Sequence, residues 1–194
     1  MFGVHTHLYN STEDPSEIRF GGYNEELFKE GHKQVWMNTT GNMTWEVKFD
    51  SAGFHDKFLW NNTHALIDPG YPFIGMPFKY FKEFESDLAK VYPDHKINCT
   101  TEDWCQFTGV PCGEIEANMP DLHFTFPVEH QIFNTAVYRV PAKSFLFSDF
   151  DFLTETHSCH LGVVAQKYSE FDHFILGQVF MENFYVTYDA TNPD

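Results

Sequence analysis

The sequence predicts a mainly β protein with one principal α-helix. Three observations carry this: an aromatic share of 18% that includes 22 Phe, a succession of short apolar or alternating runs bounded by turn residues, and a single stretch with helical spacing. Flat rings pack well on a pleated, half-buried surface, so such a composition favours strands. With 194 residues and an apolar share of 42%, the chain is long enough to bury one substantial core. No repeat or linker divides it, so residues 1–194 are read as one domain.

Residues 1–9 alternate loosely and give way to the polar loop NSTEDPSE, after which Ile18-Arg19-Phe20 runs into Gly21-Gly22, a strand ending in a tight turn. Val35-Trp36-Met37 and Trp45-Glu46-Val47-Lys48-Phe49 flank the turn-forming Asn38–Asn42, which predicts a hairpin with Trp45, Val47 and Phe49 on one face. Phe58-Leu59-Trp60 and Ala65-Leu66-Ile67 read as two short strands, the second running straight into Asp68-Pro69-Gly70. From Pro77 to Tyr92, Phe81, Phe84, Leu88 and Val91 recur at helical spacing, with Pro77 suited to the first turn. These are core residues of a helix, with no cofactor implied. A cysteine-bearing loop follows, then strands around His123–Phe126, Ala136–Val140, Phe145–Phe147, Leu161–Val164 and Phe184–Tyr188.

Lys plus Arg number 12 against 28 Asp plus Glu, for a net charge of −16. A phosphate backbone is bound through clustered cations, so nucleic acid is not an expected partner. Acidification neutralises carboxylates and relieves their repulsion, so this composition tolerates an acidic compartment. No run of 18 apolar residues predicts a transmembrane helix. The opening residues lack the cationic and apolar segments of a secretory signal. Asn10, Asn38, Asn42, Asn61 and Asn98 nevertheless each head an Asn-x-Ser/Thr triplet, an excess of glycosylation acceptors that reads as secretory, whether vacuolar, lysosomal or extracellular. Secretory features without a visible signal lead us to expect a fragment or a processed product. The even set Cys99, Cys105, Cys112 and Cys159 reads as two disulfides; a zinc site is the alternative, since His157 and His160 flank Cys159. His5 with His7, and His157 with His160, are expected to be surface or hydrogen-bonded residues, with no metal.

Four segments resemble, in order, landmarks of the C-terminal lobe of pepsin-like aspartic proteases. Ile18-Arg19-Phe20-Gly21-Gly22-Tyr23 is similar to that lobe's early strand and Gly-Gly turn. Ala65-Leu66-Ile67-Asp68-Pro69-Gly70 stands where the family has apolar residues followed by Asp-Thr/Ser-Gly. Met119-Pro120-Asp121-Leu122-His123-Phe124-Thr125-Phe126 resembles its Leu-Pro-x-apolar-x-Phe strand, and Phe174-Ile175-Leu176-Gly177-Gln178 through Tyr188-Asp189 its Ile-Leu-Gly-Asp turn and final Tyr-containing strand. The resemblance implies a pepsin-like C-terminal lobe with orthogonally packed sheets, one principal helix and a short second one near Phe180–Asn183. It implies that Cys112 pairs with Cys159 and leaves Cys99 with Cys105. It implies no cofactor. The family continues into a final apolar strand beyond the position of Asp194, which again leads us to expect truncation.

In that family, two carboxylates, one from each lobe, share a proton and activate water. The resemblance places Asp68 in the catalytic turn with Pro69 and Gly70, and no second Asp-Thr/Ser-Gly occurs. Pro69 replaces a residue whose hydroxyl and N–H serve a cross-lobe network, and supplies neither donor. Tyr71 stands where a Ser or Thr hydroxyl is common, and Gln178 where Asp is usual. Apart from the family frame, Asp-Pro-Gly is a turn sequence. The expectation is a vestigial catalytic position and a lobe that does not cleave on its own, serving as a binding or structural module. The alternative is half of an endopeptidase in which a second lobe supplies the other carboxylate. Either way an N-terminal lobe or another protein chain is expected to cover the interlobe face, and the cleft side is expected to suit an extended peptide.

Overall fold

The computed structural model describes residues 1–7, 15–28, 34–41, 43–55, 57–99, 104–128, 135–166 and 172–191, with the backbone alone over residues 57–62. Its strands and helices, in chain order, are β1 (Phe2–His5), β2 (Glu17–Phe20), β3 (Glu46–Phe54), β4 (Lys57–Ile67), β5 (Ile74–Pro77), α1 (Phe78–Val91), β6 (Ile97–Asn98), β7 (Trp104–Thr108), α2 (Cys112–Glu116), β8 (Leu122–Pro127), β9 (Thr135–Val140), α3 (Ala142–Phe145), β10 (Leu146–Asp151), β11 (Thr156–Gln166), β12 (His173–Leu176), α4 (Gln178–Met181) and β13 (Val186–Tyr188). The mainly β architecture with one long helix is as the composition predicts.

Among the described residues the strands form two sheets. The smaller has the order β13-β1-β2, and the larger runs β6-β7-β11-β5-β12-β4-β3-β8-β9 with β10 paired to β11. The small sheet ends at β2, where Ile18 and Phe20 are 63% and 81% exposed. In the large sheet, β12 is parallel to β4 and antiparallel to β5, so it is threaded between two strands that are neighbours in sequence.

The helical spacing holds: Phe81, Phe84 and Leu88 of α1 are fully buried, and Val91 is packed against the same core. Pro77, with φ −52°, precedes the first turn, where its missing N–H costs nothing. At the other end the Tyr92 N–H reaches Leu88 O at 3.0 Å, and its hydroxyl donates to Ile115 O at 2.6 Å, tying α1 to α2. Phenylalanine fills the core. Phe49 meets Phe174 edge-on at 5.2 Å, and Phe54 meets Phe84 at 5.0 Å, geometries that suit the ring quadrupoles.

Three local expectations give way. Residues 35–37 are not a strand; one bridge, Thr39 to Val47, is all that remains of the expected hairpin. The partners of β3 are instead β4 and β8, which bury Val47 and Phe49 on the predicted face more completely than a short hairpin arm would. The two runs Phe58–Trp60 and Ala65–Ile67 belong to one strand, because β3 pairs along nearly all of β4. Phe145 closes the short helix α3 before β10 begins.

All four cysteines are in disulfides: Cys99–Cys105, with Cα atoms 4.0 Å apart, and Cys112–Cys159 at 4.8 Å. Cys159 is therefore not a zinc ligand. The second bridge closes 47 residues and joins α2 to the middle of β11. Cys112→Ala with Cys159→Ala is expected to cost about 2–4 kcal/mol, read as a lower urea midpoint.

Candidate active site

The site is built where β4 ends. The chain leaves Ile67, passes through Asp68-Pro69-Gly70-Tyr71-Pro72-Phe73, and returns as β5 on the far side of β12. The loop therefore has to arch over the end of β12, and the turn that follows β12 fills the arch. Asp68 N donates to Leu176 O at 3.2 Å, Gly177 N to Phe73 O at 3.1 Å, Gln178 N to Tyr71 O at 2.7 Å, and Val179 N to Pro72 O at 3.2 Å. These bonds satisfy backbone groups that neither ladder nor helix could pair.

Glycine is required at position 177 by proximity. A Cβ there would lie 2.1 Å from Tyr71 O and 2.5 Å from Phe73 O, both backbone atoms that cannot swing away. Gly177→Ala is expected to cost more than about 3 kcal/mol or to prevent folding, checked by a denaturant midpoint against the parent chain.

Asp68 is half-buried. Its Oδ1 accepts the Gly70 N–H at 2.8 Å, and its carbonyl accepts the Tyr71 N–H at 3.2 Å, so the carboxylate is held by its own turn. Pro69 contributes only its carbonyl, which accepts from Gln178 Nε2 at 3.1 Å. The side chain of Gln178, at the family's Asp position, thus clamps the loop across 109 residues of sequence. The Tyr71 ring lies against Gly75, where an added Cβ would come within 3.3 Å of Cε1.

Beneath the loop, β13 delivers Tyr188. Its hydroxyl donates to Ile67 O at 3.4 Å, and its ring stacks on Phe2 at 4.8 Å and meets Trp45 at 5.0 Å. Burial, and after it the negative charge of Asp68, raises the phenol well above the ordinary tyrosine range. Sequence reading placed Tyr188 in a motif without a role; it forms the floor that couples the small sheet to the Asp68 turn. To one side, Glu46 of β3 faces two imidazoles, His64 Nδ1 at 2.9 Å and His173 Nδ1 at 3.8 Å. Those contacts become ion pairs when the histidines are protonated.

Glu182 was not foreseen from sequence, because nothing local announces its burial. It follows α4, its Oε1 is buried without a hydrogen-bond partner, and burial pushes its carboxyl up to about 7. The neighbouring Ser144 hydroxyl and the Lys143 charge oppose that rise. With a folded value above the ordinary 4.5, the folded chain holds this proton more tightly than the unfolded chain. Its contribution to stability is present in full below about pH 4.5 and is lost as pH rises through about 7. Glu182→Gln should therefore remove part of the decline of the unfolding midpoint between about pH 4.5 and 7, with the gap to the parent chain widening as pH rises.

The remaining sequence candidates are dispersed. Asn38 is exposed, and Asn98 is half-buried in β6; Asn10 and Asn42, and the side chain of Asn61, lie outside the described residues. The His5 and His7 rings meet edge-on at 4.3 Å, His157 lies against Phe150 at 4.7 Å, and His160 approaches Asp149 at 3.7 Å. Among the described residues no cluster of His, Cys, Asp and Glu could hold a metal ion. Nor is any helix among them long and apolar enough to cross a membrane.

A mainly β lobe in which an Asp-x-Gly turn interlocks with an apolar-apolar-Gly turn belongs to the pepsin-like class. The chain matches the family model for eukaryotic aspartyl protease over residues 1–194, and it belongs to that family. It is 23% identical over 196 residues to pepsin A of Gallus gallus, a match that covers 99% of this chain and 45% of that relative. The chain therefore spans less than half the length of the curated relative it matches.

Proposed function

We propose that residues 1–194 form a single pepsin-like lobe of the C-terminal type that serves as a binding or structural module of a secretory glycoprotein and does not cleave peptides on its own. The environment of Asp68 carries this reading. Among the described residues its side chain is hydrogen-bonded to the Gly70 N–H of its own turn, and no second carboxylate shares its proton. Acid peptidase chemistry depends on the mutual repulsion of two such groups to keep one proton on the pair. Pro69 and Tyr71 further remove the hydroxyls that would bind and orient the acid.

The face that a partner would cover is the small sheet, whose edge strand β2 carries the exposed Ile18 and Phe20. Unpaired backbone beside exposed apolar side chains is a template for strand addition. An N-terminal lobe or another protein chain fits that edge, and an extended peptide fits the cleft side. Two disulfides suit an oxidising compartment. Exposed Asn38 is the acceptor best placed for a glycan, and a mass decrease on enzymatic deglycosylation of native material is the corresponding check.

One observation favours a second reading. The turn keeps the Asp68 N bond to Leu176 O and the Gly70 bond to the carboxylate, so the frame of half an endopeptidase is intact. Cleavage of a denatured protein at about pH 3–5, with and without pepstatin, separates the two. The monomeric chain is expected to show no turnover, and Pro69→Thr is expected to restore none. Activity of a dimer or two-lobe complex that Asp68→Asn abolishes would replace the module by the peptidase half.

A further inference from the structure

The geometry points to the tip of the β10–β11 hairpin as a docking knob for a second protein that presents an apolar pocket with a basic rim. Phe152 and Leu153 are 85% and 96% exposed at this tip. Large apolar side chains scattered singly are unremarkable on a surface, but two adjacent ones displayed on an ordered turn are informative.

The turn is built to hold them out. Asp151 Oδ1 accepts the Leu153 N–H at 2.8 Å and the Thr154 N–H at 3.4 Å, while Oδ2 accepts the Thr154 hydroxyl at 2.8 Å. Thr154 Oγ1 also meets Thr156 Oγ1 at 2.8 Å, and Glu155 takes φ 52°, the left-handed conformation that closes the turn. Beneath the tip, Phe150 packs edge-on against Phe152 at 5.0 Å and lies tilted against His157 at 4.7 Å. A surface ordered before binding loses less entropy when a partner arrives.

The ribbon also projects beyond its sheet. Pairing of β11 with β7 ends at Ser158 opposite Thr108, whereas β10 continues with β11 to Phe150–His157 and Asp151–Thr156. The tip lies well away from the Asp68 turn. Val163 of β11 pairs with Ile74 at the end of the Asp68 loop, and the seven strand residues between Glu155 and Val163 hold the two about 26 Å of chain apart. The knob is thus set apart from the Asp68 turn.

Charge selects the occupant. Asp151 and Glu155 bracket the two apolar residues at the turn, Asp149 stands two residues below Asp151 on β10 with its Oδ2 3.7 Å from His160 Nε2, and the chain as a whole carries −16. An anionic bilayer and a second copy of this chain would both meet like charge, while Lys or Arg around an apolar pocket would meet opposite charge.

The test uses two 14-residue amphipathic helical peptides with identical Leu positions, one with Lys and one with Glu at every polar position. Fluorescence anisotropy measures their binding to the disulfide-intact chain, to Phe152→Ser with Leu153→Ser, and to Asp149→Asn with Glu155→Gln. The Leu/Lys peptide should bind the parent chain at least about tenfold more tightly than the Phe152/Leu153 variant, which keeps the full charge, and several-fold more tightly than the charge variant. The Leu/Glu peptide should not bind. An unchanged thermal midpoint confirms that the variants fold. Equal affinity of the parent and the Phe152/Leu153 variant overturns the proposal, as does binding of the Leu/Glu peptide. It is also overturned if the double substitution instead abolishes a concentration-dependent dimer or sedimentation with phosphatidylcholine vesicles.

Discussion

The threading of β12 between β4 and β5 is the constraint on which the rest of the lobe depends. Two strands joined by a six-residue loop are held apart by a third that arrives about a hundred residues later, so the carbonyls of Tyr71, Pro72 and Phe73 meet their partners across the junction rather than within the loop. Gly177, Gln178 and Val179 provide those partners, and only a residue without a Cβ allows the two backbones to approach so closely. The start of α4, the position of Tyr188 under the turn and the exit direction of β5 all follow from this junction.

That internal bracing explains how the turn accommodates Pro69 and Tyr71. Pro69 has neither an N–H nor a hydroxyl to donate, yet its carbonyl is engaged by the Gln178 amide. The loop is therefore held from inside the lobe. The fold keeps Asp68 in place through the Gly70 and Leu176 contacts.

Charge and burial point the same way in this molecule. The surface carries a large excess of carboxylates, and the carboxyl of Glu182 sits where its neutral form is favoured. Each arrangement is more comfortable in acid than at neutrality.

What was legible in the sequence was whatever depends on local spacing. The period of Phe81, Phe84 and Leu88 specifies α1 because residues three and four apart share a helical face. The strand character of Glu46–Phe49 and the Asp68–Gly70 turn are likewise local. The pairing of Cys112 with Cys159 came from family resemblance, since spacing alone left zinc open. Tertiary structure decided what local pattern cannot encode: that β3 prefers β4 and β8 to residues 35–37, that β4 runs unbroken through an expected gap, that one carboxyl oxygen of Glu182 is enclosed, and that Gln178 reaches Pro69. Those outcomes depend on which distant surfaces meet. A strand is chosen by the partner that buries its apolar face and satisfies its backbone, and a carboxyl is perturbed by neighbours brought to it only when the chain has folded.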